Sequence, residues 1–210
     1  MYTKRERNAA QIKFKALKYV LNEAERRNFT DIQVVEICKH VGISKVTFFK
    51  YFTSKVDLLL YYKSVLTLQL IIKISESKKE GLSALNCIVQ HFASEYIVRP
   101  SMMLGLVRYF TNSTVYVSPI AVKPAERVLF FPELDNHKYE IISFDQLVEQ
   151  QMLEVVFKKQ STLSVNSEQL SEVFLSTLYG AIIVCRMKKV DHVSLFFFQV
   201  LGTVFPGIKG

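Results

Sequence analysis

Ile37-Cys38-Lys39-His40-Val41-Gly42-Ile43-Ser44-Lys45-Val46-Thr47-Phe48-Phe49-Lys50-Tyr51-Phe52-Thr53-Ser54-Lys55-Val56-Asp57-Leu58 is the stretch around which the chain is organised. It reads as the end of one short helix, a tight turn and a second short helix. The first, Val34 to Val41, stops at Gly42, which reaches the left-handed conformation without a Cβ penalty. Ile43 plugs the corner, and Ser44 is placed to cap a helix that begins at Lys45. That helix carries Val46, Phe48, Phe49 and Phe52 among Lys45, Thr47, Lys50 and Tyr51. Two short helices joined in this way form a helix-turn-helix, whose second helix enters a DNA major groove. By spacing alone, a helical corner in any all-α protein fits equally. Ser54-Lys55-Val56-Asp57 then supplies a Ser-x-x-acid cap and opens a longer helix.

The same run resembles the DNA-binding domain of the tetracycline-repressor (TetR) family of bacterial transcription regulators. The family pattern reads Ile-Ala-x-x-Ala-Gly-Val-Ser-x-x-Thr-Leu-Tyr-x-His-Phe-x-x-Lys-x-x-Leu. Ile37, Gly42, Ser44, Thr47, Phe52, Lys55 and Leu58 stand at matching positions, and Ala16-Leu17 through Phe29 resembles the family's first helix and its exit. The likeness is gapless over roughly residues 9–60 and fades beyond Leu60. Three departures separate the operator contacts from the family's. Phe49 replaces a Tyr and lacks its hydroxyl, Tyr51 replaces a His, and Ile32-Gln33 replaces the frequent Thr-Thr before the second helix, leaving Thr30 or Asp31 as caps. The resemblance implies a repressor released from its operator by a small ligand.

Charge placement points the same way. The net charge is +8, and residues 1–55 hold 12 Lys or Arg against 5 Asp or Glu, leaving 15 against 14 in the remainder. A basic excess confined to the segment with the helix-turn-helix suits a surface that neutralises phosphates. Half the residues are hydrophobic, with only 7 Gly and 5 Pro, which excludes disorder and a turn-rich β protein. Cys38, Cys87 and Cys185 are odd in number, far apart and set in apolar sequence, so they read as buried thiols in a reducing cytoplasm. No secretory apolar run follows Met1, and the apolar segments Val173–Val184 and Val193–Phe205 are too short to span a bilayer.

Outward from the central stretch, the chain is predicted to be all-α. Residues 1–8 read as a basic arm, with Lys4, Arg5 and Arg7 within reach of a DNA backbone. Helical periodicity runs from about Ala9 to Arg27, Lys55 to Lys78, Leu82 to Arg99 and Ser101 to Thr114. Residues 115–137, with Pro119, Pro124 and Pro132, read as an irregular connection holding at most one helical turn. Further helices are expected from about Lys138 to Lys159, Asn166 to Val190, and Asp191 to Phe205. The expected division is a helix-turn-helix module at 1–54 and a helical ligand-sensing and dimerising bundle at 55–210.

Within this frame Ser44, Lys45, Thr47 and Lys50 are candidates for base edges or nearby phosphates. Tyr51, Lys55 and Gln33 are candidates for backbone phosphates, Lys55 because its charge adds to the free N–H groups of a helix start. No Gly-rich phosphate loop, His-x-x-x-His pair or nucleophile elbow occurs, and His40, His91, His137 and His192 are scattered. The chain is therefore not read as an enzyme, and no cofactor or metal site is expected. His91, Met102, Met103, Tyr109, Phe110, Tyr116, Phe144, Met152 and Tyr179 are candidates for an apolar effector pocket, although residues of this kind at helical spacing equally form a plain core. Residues 173–185 are apolar on every side of their helix, and a helix of that kind is buried on every side. Phe174, Leu178, Ile182, Cys185, Val193, Phe197, Val200 and Leu201 are thus the candidate homodimer seam, in keeping with the twofold dimers by which helix-turn-helix proteins read paired half-sites. The expected partners are double-stranded operator DNA, a second copy of the chain and an unidentified small effector, with no membrane. The rival reading is an all-α carrier of an apolar ligand, which a DNA mobility shift separates from a regulator.

Overall fold

The computed structural model describes residues 2–112, 120–133, 139–160 and 166–210, and among these it is helical, without a strand. The helices are α1 (Lys4–Ala24), a 3-10 turn (Phe29–Asp31), α2 (Val34–Val41), α3 (Lys45–Tyr51), α4 (Asp57–Glu76), α5 (Leu82–Val98), α6 (Pro100–Asn112), α7 (Pro124–Phe130), α8 (Phe144–Phe157), α9 (Ser167–Lys188) and α10 (Val193–Val204). The all-α expectation holds. Two compact units emerge: residues 1–66 with 99–141, and residues 67–98 with 142–210. This partition differs from a boundary at 54/55, because α6 and α7 pack with the helix-turn-helix module and the first half of α4.

In the first unit, α1 starts earlier than its periodicity suggests. Thr3 and Glu6 form a reciprocal cap: the Glu6 N–H donates to Thr3 Oγ1 at 3.2 Å, and the Thr3 N–H donates to Glu6 Oε2 at 2.8 Å. Lys4, Arg5 and Arg7 are therefore helical rather than part of a free arm, because a Thr-x-x-Glu box satisfies N–H groups that would otherwise be orphaned. Ala10, Lys13, Leu17, Val20 and Ala24, spaced three and four apart, are the buried stripe. The region around Pro124, expected as irregular, contains α7, which opens on that proline, a residue tolerated in the first helical turn.

The second unit packs α5, α8, α9 and α10 together. Its core includes Leu85, Ile88, Phe92, Val148, Met152, Phe174, Ile182 and Phe197. Gln151 and Gln160 from the α8 end accept the N–H groups of Gly81 and Leu82 at 3.1 Å each, which satisfies donors at the start of α5. Asn86 ties down the C-terminal segment through the Gly207 carbonyl and the Lys209 N–H. Helices α4 and α9 are long and apolar enough by composition to cross a membrane, which the shorter segments read from the sequence are not. Burial within the chain covers 67% of the apolar stretch of α4, as in a core helix, and 39% of that of α9.

The candidate nucleic-acid interface

Helix α2 ends as its sequence requires. Gly42 sits at φ 79°, and the N–H groups of Gly42 and Ile43 both donate to the Cys38 carbonyl, at 2.9 and 3.0 Å. Gly42, Ile43 and Ser44 are the whole turn before α3. Ser44 Oγ accepts the Thr47 N–H at 3.1 Å and lies 2.9 Å from Thr47 Oγ1, so the hydroxyls of these two residues engage each other at the start of the helix. Phe48 and Phe52, fully buried, fasten α3 to the module. Lys45, Val46, Phe49 and Lys50 are left outside. Val46 and Phe49, apolar like Phe48 and Phe52, are nonetheless exposed.

Behind the turn, an ionic brace fixes α2 against α1. Arg27 donates to Glu23 Oε2 through Nε at 2.9 Å and to Glu36 Oε2 through Nη2 at 2.6 Å. Glu36 also accepts the Gln33 N–H at 3.3 Å, and the Gln33 side chain donates to the Asp31 carbonyl at 3.3 Å. Gln33 is exposed at the start of α2, and Tyr51 is half-buried. His40 is also exposed and stacks on Tyr19, with ring centroids 4.5 Å apart.

The Lys55 ammonium, expected at a backbone phosphate, is engaged within the chain itself. Its ammonium donates to the carbonyls of Phe29, Thr30 and Ile32 at 3.0, 2.8 and 3.0 Å, and lies 4.8 Å from the Phe29 ring centroid. An ammonium has three protons, and the 3-10 turn takes all of them. Burial pushes its pKa down, opposed by the charges of Asp31 and Glu36. Helix α4 begins at Asp57, two residues later than expected, with Asp57 receiving the Thr53 N–H at 2.7 Å and the Ser54 hydroxyl at 2.8 Å. Lys55→Met is expected to cost about 2–3 kcal/mol of stability, because charge-assisted hydrogen bonds disappear and carbonyls are left bare. The salt slope of DNA binding should not change. Thermal unfolding and anisotropy titrations check both; a slope lower by about one unit at unaltered stability would return Lys55 to phosphate binding.

A second ionic centre was invisible in the sequence. Lys13, on the buried stripe of α1, pairs with Glu126 of α7 at 3.1 Å, and Tyr61 of α4 donates its hydroxyl to Glu126 at 2.9 Å. Lys13 is 8% exposed and Glu126 2%. Burial and the Glu126 charge push the Tyr61 hydroxyl pKa up. The available signal was the phase of Lys13, which falls in register with Ala10, Leu17 and Val20; nothing marked Glu126 as its partner. The pair floors a cleft of about 750 Å³ that is also lined by Tyr2, Arg5, Lys50, Tyr51 and Lys123.

The effector-pocket candidates divide between the units. Met102, Met103, Tyr109 and Phe110 belong to α6 of the first; the Met103 sulfur accepts the Tyr62 hydroxyl at 3.8 Å, and Lys63 lies over the Phe110 ring. His91, Phe144, Met152 and Tyr179 belong to the second. There Phe92 stacks on Phe144 at 4.9 Å and meets Tyr179 edge-on at 6.3 Å. His91 Nε2 is buried without a hydrogen-bond partner, and burial lowers the imidazole pKa despite nearby Glu95. Tyr109 likewise has a buried hydroxyl without a partner. Tyr116 and His137 lie outside the described residues.

The candidate seam residues are mostly interior. Phe174, Leu178, Ile182, Cys185, Phe197 and Leu201 are covered by their own chain, while Val193 and Val200 are half-buried. The exposed side of α9 is instead Val173, Ser176, Ile183 and Met187, with half-buried Gly180 between them. Cys38, Cys87 and Cys185 are all buried and unpaired, and burial raises the Cys38 and Cys185 thiol pKa values. No group of three or more His, Cys, Asp or Glu side chains able to hold a metal occurs among the described residues.

Residues 21–62 match the family described as "Bacterial regulatory proteins, tetR family". Over that segment the chain resembles the N-terminal domain of the TetR family. The match covers α2, the turn and α3, the elements whose caps and exposed face are given above. No curated protein matches the chain. Among solved structures, FadR of Thermus thermophilus, a TetR-family transcriptional repressor in complex with lauroyl-CoA, is 16% identical, with 96% of this chain and 95% of that one covered and a TM-score of 0.64. Reduced NemR of Escherichia coli is 13% identical, covering 92% and 97% at a TM-score of 0.59. The TetR-family protein CprB of Streptomyces coelicolor A3(2) is 17% identical, covering 98% and 90% at 0.54. These likenesses show that the TetR-like fold extends through the remainder of the chain.

Proposed function

We propose that the chain is a cytoplasmic, dimeric transcriptional regulator: a repressor that leaves its operator when a small, largely apolar molecule binds. The observation that carries this is α3, capped by Ser44, anchored by Phe48 and Phe52, and presenting Lys45 and Lys50 outward within a segment that matches the TetR domain. Dimerisation is supported by the outer stripe of α9. Val173, Ser176, Gly180, Ile183 and Met187 follow the alternating three- and four-residue spacing of a helix–helix seam. A Cβ built on Gly180 meets nothing within 4 Å, which leaves room for a second helix. A twofold dimer would hold two α3 helices about 34–36 Å apart, one helical turn of DNA.

An effector is supported by the buried His91 Nε2, which has no hydrogen-bond partner, and by the lauroyl-CoA held by the T. thermophilus repressor. Its action on DNA requires different affinities for two states of the protein, with α4 as the helix that belongs to both units. The deciding experiment is a mobility-shift titration of the full chain on DNA from upstream of its own coding sequence. Sequence-preferring binding is expected. Lys45→Ala and Lys50→Ala should each lower the salt slope by roughly 0.9, because one phosphate fewer is neutralised. Equal affinity for that DNA and for random duplex would remove the regulatory reading.

A further inference from the structure

Two of the most outward side chains on α3 have no polar atom. Val46 is 69% exposed and Phe49 46%. They lie one turn apart on the exposed arc of the helix, between exposed Lys45 and Lys50. Phe49 is held in a fixed attitude, its ring edge-on to Phe48 at 5.4 Å with 86° between the planes. The adjacent hydroxyls are already engaged, since Ser44 and Thr47 bond each other. A basic surface meant only for phosphates gains nothing from a valine and a phenylalanine at its centre, where they keep apolar area in water. A major-groove floor presents one apolar group, the C5-methyl of thymine; its other features are hydrogen-bond donors and acceptors, which neither side chain can pair.

We infer that Val46 and Phe49 read thymine methyl groups in the operator, making thymine-bearing steps in each half-site a condition of specific binding. The inference rests on the DNA-binding function proposed above and narrows its ligand to a class of sequence. Lys45 and Lys50 then provide sequence-independent attraction, and the two apolar side chains provide discrimination.

The test uses the full chain and duplexes enriched from a random 30-base-pair pool, each resynthesised with single thymines replaced by deoxyuridine, which removes only the methyl. Wild-type protein should bind about fourfold more weakly for each methyl it touches, the effect of burying roughly one carbon group. Val46→Ser and Phe49→Ser, which remove the apolar carbons that Thr or Ala would keep, should each lose the uracil penalty at the thymine that the side chain touched while keeping the wild-type salt slope. Thermal unfolding of both variants verifies that they fold, and Val46→Ser alone suffices if Phe49→Ser does not. Indifference of the wild type to uracil at every thymine overturns the inference while leaving sequence-specific binding intact. So does a uracil penalty that persists undiminished at every thymine in Val46→Ser and Phe49→Ser. If no duplex is enriched at all, DNA reading itself fails, and the inference with it.

Discussion

Glu126→Ala is expected to destabilise the protein by about 3–5 kcal/mol, the cost of leaving a buried charge without its partner. Glu126 is 2% exposed and bonds three groups from three parts of the fold: the Lys13 ammonium at 3.1 Å, the Tyr61 hydroxyl at 2.9 Å and the Lys123 N–H at 3.1 Å. Its removal strands an ammonium that is 8% exposed and lies 5.0 Å from the Tyr61 ring centroid. Removing both charges is a different perturbation. Lys13→Met with Glu126→Leu should recover only part of the stability: the apolar pair carries no charge to desolvate, but the buried Tyr61 hydroxyl is left without its acceptor. Denaturant unfolding of the two single variants and the double variant yields the coupling directly. A Glu126→Ala protein within about 1 kcal/mol of wild type would mean that the pair is solvated and structurally minor.

The second large effect separates two neighbouring isoleucines. Ile182→Glu places a carboxylate at a site with 0% exposure, among the core of the second unit, and should cost several kcal/mol through an unpaired buried charge. Its expected phenotype is lost helicity or aggregation. Ile183→Glu, at a site 40% exposed on the outer stripe of α9, should leave the monomer folded and abolish only the dimer. Circular dichroism and light scattering on both variants read the two outcomes. A stable dimer of Ile183→Glu would move the subunit interface away from this stripe. A well-folded Ile182→Glu would contradict the packing of α9.

What the sequence by itself determined is what short-range chemistry controls. Long stretches free of breakers made the chain all-α, and the helix-turn-helix was legible because its determinants lie within a few residues of one another. Gly42 closes α2 against Cys38, Ser44 caps Thr47, and Asp57 gathers Thr53 and Ser54. Even the early start of α1 was written locally, in Thr3 and Glu6. Tertiary structure decided the rest, since those outcomes depend on groups far apart in the chain. Lys55 had the spacing of a phosphate ligand, yet it binds carbonyls 23 to 26 residues away. Lys13 falls in register with the buried stripe of α1, but its partner Glu126 comes from α7, far along the chain. Val46 and Phe49 are as apolar as Phe48 and Phe52, but a seven-residue helix has one inner face, which Phe48 fills with Phe52 at the cap. Helix α9 shows the reason most plainly: apolar on every side, it carries no phase in its sequence, so only packing against α8 and α10 determines that Ile182 points inward and Ile183 outward.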